Sequence, residues 1–433
     1  MAIQALLVIL AVLLVLLFLG VPISYAIAVS SLTAILSSID LNVAVLTAAQ
    51  RTFVGMSKFS LTAIPFFILA GNIMNQGGIA KRLVDFVMAI LGKMPGALLV
   101  TNIGTNALFG AISGSASAAA AAVGSMIRDG AEEQGYDPAV TAATNAASSC
   151  SGLLIPPSNA LITYSLASGG TSVAALFMAG YIPGIIWALC CCVVGVLLAV
   201  KLGYKGTPGK FDWKNLGICT LRALPSLSLI IVVIGGIIGG VFSATEGSAI
   251  AVAYALILAF CYRSINLKSL WKIIVDSAKM SGMVVFLVGV SNILGWVMAF
   301  LQIPDAVAAA LLSLTNNKYI ILLIMNVILL VSGTFMDVTP AILIFTPLFL
   351  PICQSFGMST IQFGLILVYN LCIGNITPPV GNALFVGIKV GRTSLSKVMP
   401  YMLMYYVAII GGLLLVTFIP AVSTALPQAM GLM

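Results

Sequence analysis

The sequence predicts an all-α polytopic membrane protein built from two inverted-topology repeats, and three observations predict it. The 433 residues are 61% hydrophobic and only 7% charged, with a mean hydropathy of +1.18, whereas a soluble domain carries about 25% charged residues. Apolar runs long enough to cross a hydrocarbon core of ~30 Å recur from end to end. Two of those runs contain a Pro-Pro break, Pro156-Pro157 and Pro378-Pro379, where a straight helix cannot continue. With lipid as the solvent, backbone at membrane depth must be helical or enclosed by protein.

Taken in order, the run at 3–20 has no Lys or Arg ahead of it, the first being Arg51. It lacks the basic flank of a cleavable leader and is expected as a retained span ending at Val21-Pro22. Spans follow near 23–38, 62–80, 139–168 and 173–200, then near 223–242, 247–262, 281–300, 361–390 and 398–420. Stretches 97–127 and 318–352 are apolar but interrupted midway by small or polar residues, which suits re-entrant hairpins better than straight spans. Segments 40–60 and 263–280 mix charges and apolar residues at helical spacing and are expected as interfacial arms. The pairs Gly235-Gly236 and Gly239-Gly240 have the spacing of helix-packing glycines.

Charge placement orients the layout. With the loops at 81–93, 128–137, 201–222, 263–279 and 389–397 on the cytoplasmic side, 16 of the 19 Lys and Arg are cytoplasmic, leaving Arg51, Lys58 and Lys318 outside. That is the positive-inside pattern, and it places both termini outside, the first hairpin entering from the cytoplasm and the second from the opposite face. The net charge of +8 then needs no nucleic-acid partner. The halves also match. Ile155-Pro156-Pro157-Ser158-Asn159 resembles Thr377-Pro378-Pro379-Val380-Gly381-Asn382 at an offset of 222 residues, which also carries Ser113–Ser117 onto Phe335–Thr339. Each half has an odd number of crossings, so the two sit upside down to one another. The expected organisation is a first repeat at 1–205, a cytoplasmic linker at 206–222 and a second repeat at 223–433. Inverted repeats around broken helices are a recurring design of secondary transporters.

Enzyme and metalloprotein classes find no support. There is no His, which removes the commonest transition-metal ligand and proton relay. The eight Cys, Cys190-Cys191-Cys192 among them, show no C-x-x-C spacing and read as small apolar helix residues. No paired acids or nucleophile–base pair is visible. A passive channel would want symmetry about the membrane normal, which inverted repeats do not supply. A stand-alone antiporter would transport without partner subunits.

The breaks are where the chemistry is expected. Freed carbonyls offer hard oxygen ligands, and the flanking helix ends supply dipoles. The hairpin centres add Ser113, Ser115 and Ser117 in one half and Gly333, Thr334, Asp337 and Thr339 in the other. Of the acids, only Asp337 and Glu246 fall within membrane depth, where a carboxylate is a functional candidate. Asp337 lies at a hairpin tip and suits cation coordination. Glu246 lies in an outer turn, where a cap, a partner contact or transport would each account for it. Oxygen donors without His favour sodium over protons.

At these residues the chain resembles the large membrane subunit of tripartite ATP-independent periplasmic (TRAP) transporters over essentially its whole length. The motifs are Gly-Ala-Ile-Ser-Gly-Ser-Ala at 110–116, Ile-Pro-Pro-Ser-Asn at 155–159, Thr-Pro-Pro-Val-Gly-Asn at 377–382, and Ala-Ile-Pro-Phe-Phe-Ile-Leu-Ala-Gly-Asn at 63–72. The resemblance implies a Na⁺-driven importer of organic acids in the bacterial inner membrane, with an elevator-type scaffold and transport domain. It implies two partners, a separate small membrane subunit and a periplasmic binding protein that delivers substrate. Family substrates are sialic acids, C4-dicarboxylates and 2-oxo acids, and the sequence looks nearest the sialic acid branch. Carried over by motif, a first Na⁺ site would use Ser113, Ser115, Gly152, Ile155 and Pro157. A second would use Gly333, Thr334, Asp337, Gly374, Thr377 and Pro379, with substrate near Ser117, Asn159 and Asn382. No Arg or Lys lies near either break, so an anion would have to be met by hydroxyls, amides, helix dipoles and bound Na⁺.

Overall fold

The computed structural model describes residues 2–206, 211–315 and 317–433, and its regular elements are helices. In chain order they are α1 (Ala2–Phe18), α2 (Ile23–Ile35), α3 (Leu41–Met56), α4 (Ala63–Gln76), α5 (Ile79–Leu91), α6 (Ala97–Ser113) and α7 (Ala116–Glu133). Then come α8 (Pro138–Ser149), α9 (Ser151–Leu154), α10 (Asn159–Ala167), α11 (Val173–Leu202), α12 (Trp213–Ile238), α13 (Ala244–Cys261) and α14 (Leu267–Phe300). The chain finishes with α15 (Ile303–Leu314), α16 (Lys318–Gly333), α17 (Val338–Ser355), α18 (Thr360–Gly374), α19 (Asn382–Val390), α20 (Leu395–Phe418) and α21 (Pro420–Ala429). Among the described residues, six helices (α11, α12, α13, α14, α17 and α20) are long and apolar enough to cross a bilayer, and α3 with α4 forms a further candidate bent by 60°. Leu7, Val15, Phe18, Val200, Leu221 and Val407 are each more than half exposed. Helices apolar on their outer faces as well as their inner ones belong in lipid.

Local chemistry starts and stops these helices. Asp137 caps α8 by accepting a bond from Ala139 N at 2.8 Å, with Pro138 at the first helical position, where its missing N–H costs nothing. Glu246 completes a capping box: its carboxylate accepts from Ser243 N at 2.8 Å, and Ser243 Oγ accepts from Glu246 N at 3.2 Å. Its role in the structure is to start α13.

The helix order repeats. At the 222-residue offset α1 corresponds to α12, α2 to α13, α3–α4 to α14, α5 to α15, α6–α7 to α16–α17, α8–α9 to α18, α10 to α19 and α11 to α20 with the start of α21. Packing partners are exchanged between the two sets. Helix α2 packs on α14 while α13 packs on α4, and α10 packs on α17 while α19 packs on α7. Reciprocal exchange of this kind is the signature of a two-fold relation. Cys150 and Cys372, 222 residues apart, touch one another, Cys372 Sγ lying 3.9 Å from the Cys150 carbonyl. Equivalent residues in contact lie on the pseudo-axis. Buried amides tie each hairpin to its own broken helix. Asn106 Nδ2 donates to Ser148 Oγ at 2.8 Å, and Asn370 Nδ2, at the position equivalent to Ser148, donates to Asn326 Oδ1 at 2.8 Å.

Several expectations change. The span at 62–80 ends at Gln76, and the loop expected at 81–93 is largely the amphipathic helix α5, which buries Ile79, Leu83 and Val87 and exposes Lys81 and Asp85. The arm at 263–280 and the span at 281–300 are one continuous helix, α14. Its 34 residues rise about 50 Å, so the end carrying Lys268, Lys272, Asp276 and Lys279 extends beyond a ~30 Å core. Gly236 faces the ring of Phe242 in the following turn, and Gly235 has open space around it, so this glycine run serves a turn and not a helix contact. Within the expected linker, residues 207–210 lie outside the described residues, and α12 already begins at Trp213.

Candidate functional site

At the first break, Pro156 and Pro157 supply no N–H to the carbonyls of Gly152 and Leu153 one turn earlier. Ser158 recovers one of these: its hydroxyl donates to the Leu153 carbonyl, and as N-cap of α10 it accepts from Leu161 N at 3.4 Å. The Gly152 carbonyl gains no helical donor. Gly152 itself lies on the hairpin, since a Cβ there would sit 2.2 Å from Gly110 Cα. At the hairpin end Ser113 closes α6, Gly114 turns the chain at φ +62°, and Ser115 caps α7 by accepting from Ala118 N at 3.3 Å. Ser113 Oγ donates back to the Ser115 carbonyl at 3.4 Å. Ile155 and Pro157 are half-buried in the break and have only carbonyls to offer.

The second break solves the same problem differently. Thr377 N donates to the Gly374 carbonyl at 3.0 Å and Ala383 N to the Asn375 carbonyl at 3.1 Å. Gly374 rests on the second hairpin, where a Cβ would sit 2.4 Å from Gly333 C. Val380 N ties the break to the hairpin by donating to the Thr334 carbonyl at 3.1 Å. These carbonyls each keep a second lone pair for a cation. Asp337 is the N-cap residue of α17 yet makes no capping bond, and it is exposed. Both Pro-Pro bonds are cis.

Between the two hairpin ends lies a cavity of about 150 Å³ whose polar lining is Ser115, Ser117, Asn159, Thr163, Asp337, Thr339 and Asn375. Its wall pairs positions 222 residues apart: Ser115 with Asp337, Ala116 with Val338, Ser117 with Thr339, and Leu153 with Asn375. The cavity therefore sits on the pseudo-axis. Ile64 and Ile68 of α4 and Met280 and Val284 of α14 close it on the other side. Met280, Val284, Asp337 and Thr339 are shared with a larger, mostly apolar space of about 600 Å³ beside α2.

Three helices, α7, α10 and α17, begin at this cavity. Helix N-termini present unpaired N–H groups and a positive dipole end, and no Lys or Arg is in the lining. The arrangement can hold an anion without a basic side chain. Asn159 Oδ1 and Asn375 Oδ1 are buried without a hydrogen-bond partner. Gly114 makes room for the first of these, as a Cβ there would sit 2.9 Å from Asn159 Nδ2. Around each break the donors are carbonyl and hydroxyl oxygens, with one carboxylate in the second half. Among the described residues no group of three or more His, Cys, Asp or Glu exists to hold a metal. Oxygen-only donors suit a hard cation.

Of the residues expected from sequence, Ser113, Ser115 and Gly152 gather at the first break and Gly333, Thr334, Gly374 and Thr377 at the second. Ser117, Asn159 and Asp337 meet in the cavity. Pro379 and Asn382 are exposed, and Asn382 is not in the cavity wall. The second break is one residue longer, including Gly381, and one residue turns a helix start by about 100°. Asn375 was not anticipated. Its one signal was the offset, which sets it opposite Leu153.

Comparison with known proteins agrees with this architecture. Residues 10–422 match the family described as tripartite ATP-independent periplasmic transporter, DctM component. The uncharacterised protein YgiK of Salmonella typhimurium is 50% identical over 94% of each chain. The isethionate TRAP transporter permease protein DctMQ of Oleidesulfovibrio alaskensis is 36% identical over 93% of this chain and 63% of its own length. The sialic acid TRAP transporter large permease protein SiaM of Vibrio cholerae is 32% identical over 95% of this chain and 96% of its own. In three dimensions the chain is similar to the crystal structure of the Alcanivorax borkumensis YdaH transporter, with a TM-score of 0.63 at 15% identity and 88% of each chain covered.

Proposed function

The chain belongs to the DctM-component family of tripartite ATP-independent periplasmic transporters, and from that membership we propose that it imports an organic acid anion by coupling it to Na⁺. The observation that carries this reading is a cavity walled by equivalent residues of both repeats, where three helix N-termini and no basic side chain meet. An anion held by dipoles and neutral donors is neutralised only in part, and co-bound cations would supply the rest.

Energetics favour the same pairing. Importing one negative charge against an inside-negative potential costs about 2.3 kcal/mol per 100 mV. One Na⁺ cancels that cost and two reverse its sign. Each repeat offers one candidate cation site: Ser113, Ser115, Gly152, Ile155 and Pro157 in the first, and Gly333, Thr334, Asp337, Gly374, Thr377 and Pro379 in the second. The close backbone contacts Gly110–Gly152 and Gly333–Gly374 join hairpin to break, so a cation bridging them would favour one arrangement of the two. Substrate lies between, against Ser117 and Asn159, and the hairpins with their broken helices move as one body against α4 and α14. The partners are a small membrane subunit and a periplasmic delivery protein, and the setting is the bacterial inner membrane with both termini outside.

Sialic acid, favoured by the sequence, is one substrate within this reading, and C4-dicarboxylates and 2-oxo acids are others. The relatives carry names for chemically different acids, and the membrane subunit's own share of selectivity would lie in the residues lining the cavity. The test is uptake by proteoliposomes containing this chain and its small subunit, with delivery protein outside and a panel of organic acids. Accumulation that requires an inward Na⁺ gradient supports the proposal. Equilibration without accumulation, indifferent to Na⁺, would make the protein a passive pore.

A further inference from the structure

Asn375 is in the cavity wall and only 5% exposed. Its amide oxygen has no hydrogen-bond partner, and its amide nitrogen reaches only Cys150 Sγ at 3.9 Å, a weak acceptor. The fold does not need an amide there. The equivalent position in the other repeat, in the same wall, is Leu153. A buried amide that packing does not require and no neighbour satisfies is poised for a group that arrives from outside.

Size narrows what arrives. A cavity near 150 Å³ is the volume that accommodates a benzene ring, and a sugar acid with its side chains is larger than that. The adjoining space could take the excess volume but is poorer in partners, with Ser24, Tyr25, Asp337 and Thr339 set among mostly apolar residues such as Ile23, Met283, Phe286 and Leu287. We propose that Asn375 makes this cavity selective for a compact organic acid bearing a hydroxyl group. The acid group meets the N-termini of α7 and α10, since the Asp337 carboxylate stands at the start of α17, and the hydroxyl donates to the Asn375 amide oxygen. This rests on the organic-acid reading above and narrows it away from sialic acid.

The test is binding to the purified complex of this chain with its small subunit, in Na⁺ and without the delivery protein, whose own selectivity would mask the permease's. The probes are malate against succinate and isethionate against ethanesulfonate, each pair differing by one hydroxyl. The wild type is expected to bind the hydroxylated member of at least one pair about tenfold more tightly, the effect of one buried hydrogen bond. Asn375→Leu, which reproduces the opposite repeat, should bring that ratio close to one with Na⁺ dependence kept. If it does not assemble, Asn375→Ala reports the same ratio. Measurable binding with no hydroxyl preference in the wild type overturns the proposal, as does a ratio unchanged by the variants. Binding of sialic acid but of none of the four probes also overturns it. A hydroxyl preference that persists with no dependence on Na⁺ overturns the cation-coupled reading alone.

Discussion

Gly152→Ala puts the proposed first cation site under direct strain. The new Cβ would sit 2.2 Å from Gly110 Cα and 2.3 Å from Gly110 C, against ordinary contact beginning near 3.4 Å. Both obstructing atoms are backbone, so no rotamer change relieves them, and the hairpin and the break must part by more than 1 Å. Overpacking of this kind costs about 1–3 kcal/mol. A cation's ligands tolerate shifts of only about 0.2 Å, so a site bridging the two should weaken by a similar energy, roughly 5- to 150-fold in apparent Na⁺ affinity. The assay is a Na⁺ titration of substrate uptake, run beside thermal unfolding of the purified complex. Gly235→Ala is the control, because nothing lies within 4 Å of its Cβ. A Gly152→Ala protein that melts earlier yet keeps the wild-type Na⁺ half-saturation would remove the cation from this contact.

Three further outcomes follow. Asp337→Asn should abolish Na⁺-dependent uptake while changing stability by less than about 0.5 kcal/mol, since the exposed carboxylate makes no capping bond; uptake and melting measured on one preparation check both halves. Glu246→Ala should lower the melting temperature slightly through loss of the α13 capping box and leave the Na⁺ half-saturation untouched, which separates a cap from a transport carboxylate. Ser158→Ala removes both the α10 cap and the donor to the Leu153 carbonyl; it should lower stability by about 1–2 kcal/mol, read from denaturant midpoints.

Much of this architecture was legible because its signals are local. A Pro-Pro pair breaks a helix whatever surrounds it, and inversion leaves the order of apolar runs unchanged, so the 222-residue offset survives in the sequence. The amphipathic helix α5 was not legible, because charged residues such as Lys81 and Asp85 look the same in a loop and on the wet face of a helix. The continuity of α14 was hidden for the same reason. Its counterpart α3–α4 bends by 60° at the equivalent place, where Pro65 stands at the position of Leu287 and has no N–H to donate to the preceding turn. Asn382 was chosen by motif, and the extra residue in its break turned it outward. Asn375 escaped notice because the environment of a helix-end amide depends on which helices cross there.

The exchange of partners between the repeats has a consequence for how the protein is made. Helix α2 finds α14, and α10 finds α17, only once those helices of the second half have left the ribosome. The end of α17 at Ser355 follows the end of α10 at Ala167 by 188 residues, so at synthesis rates of about 5–20 residues per second α10 is without its partner for roughly ten to forty seconds. During that interval the open break at Pro156-Pro157 and the unfilled face of α10 stand in lipid with unsatisfied backbone. The first half on its own is therefore a target for membrane quality control, and insertase or chaperone contacts should concentrate on it until α17 arrives.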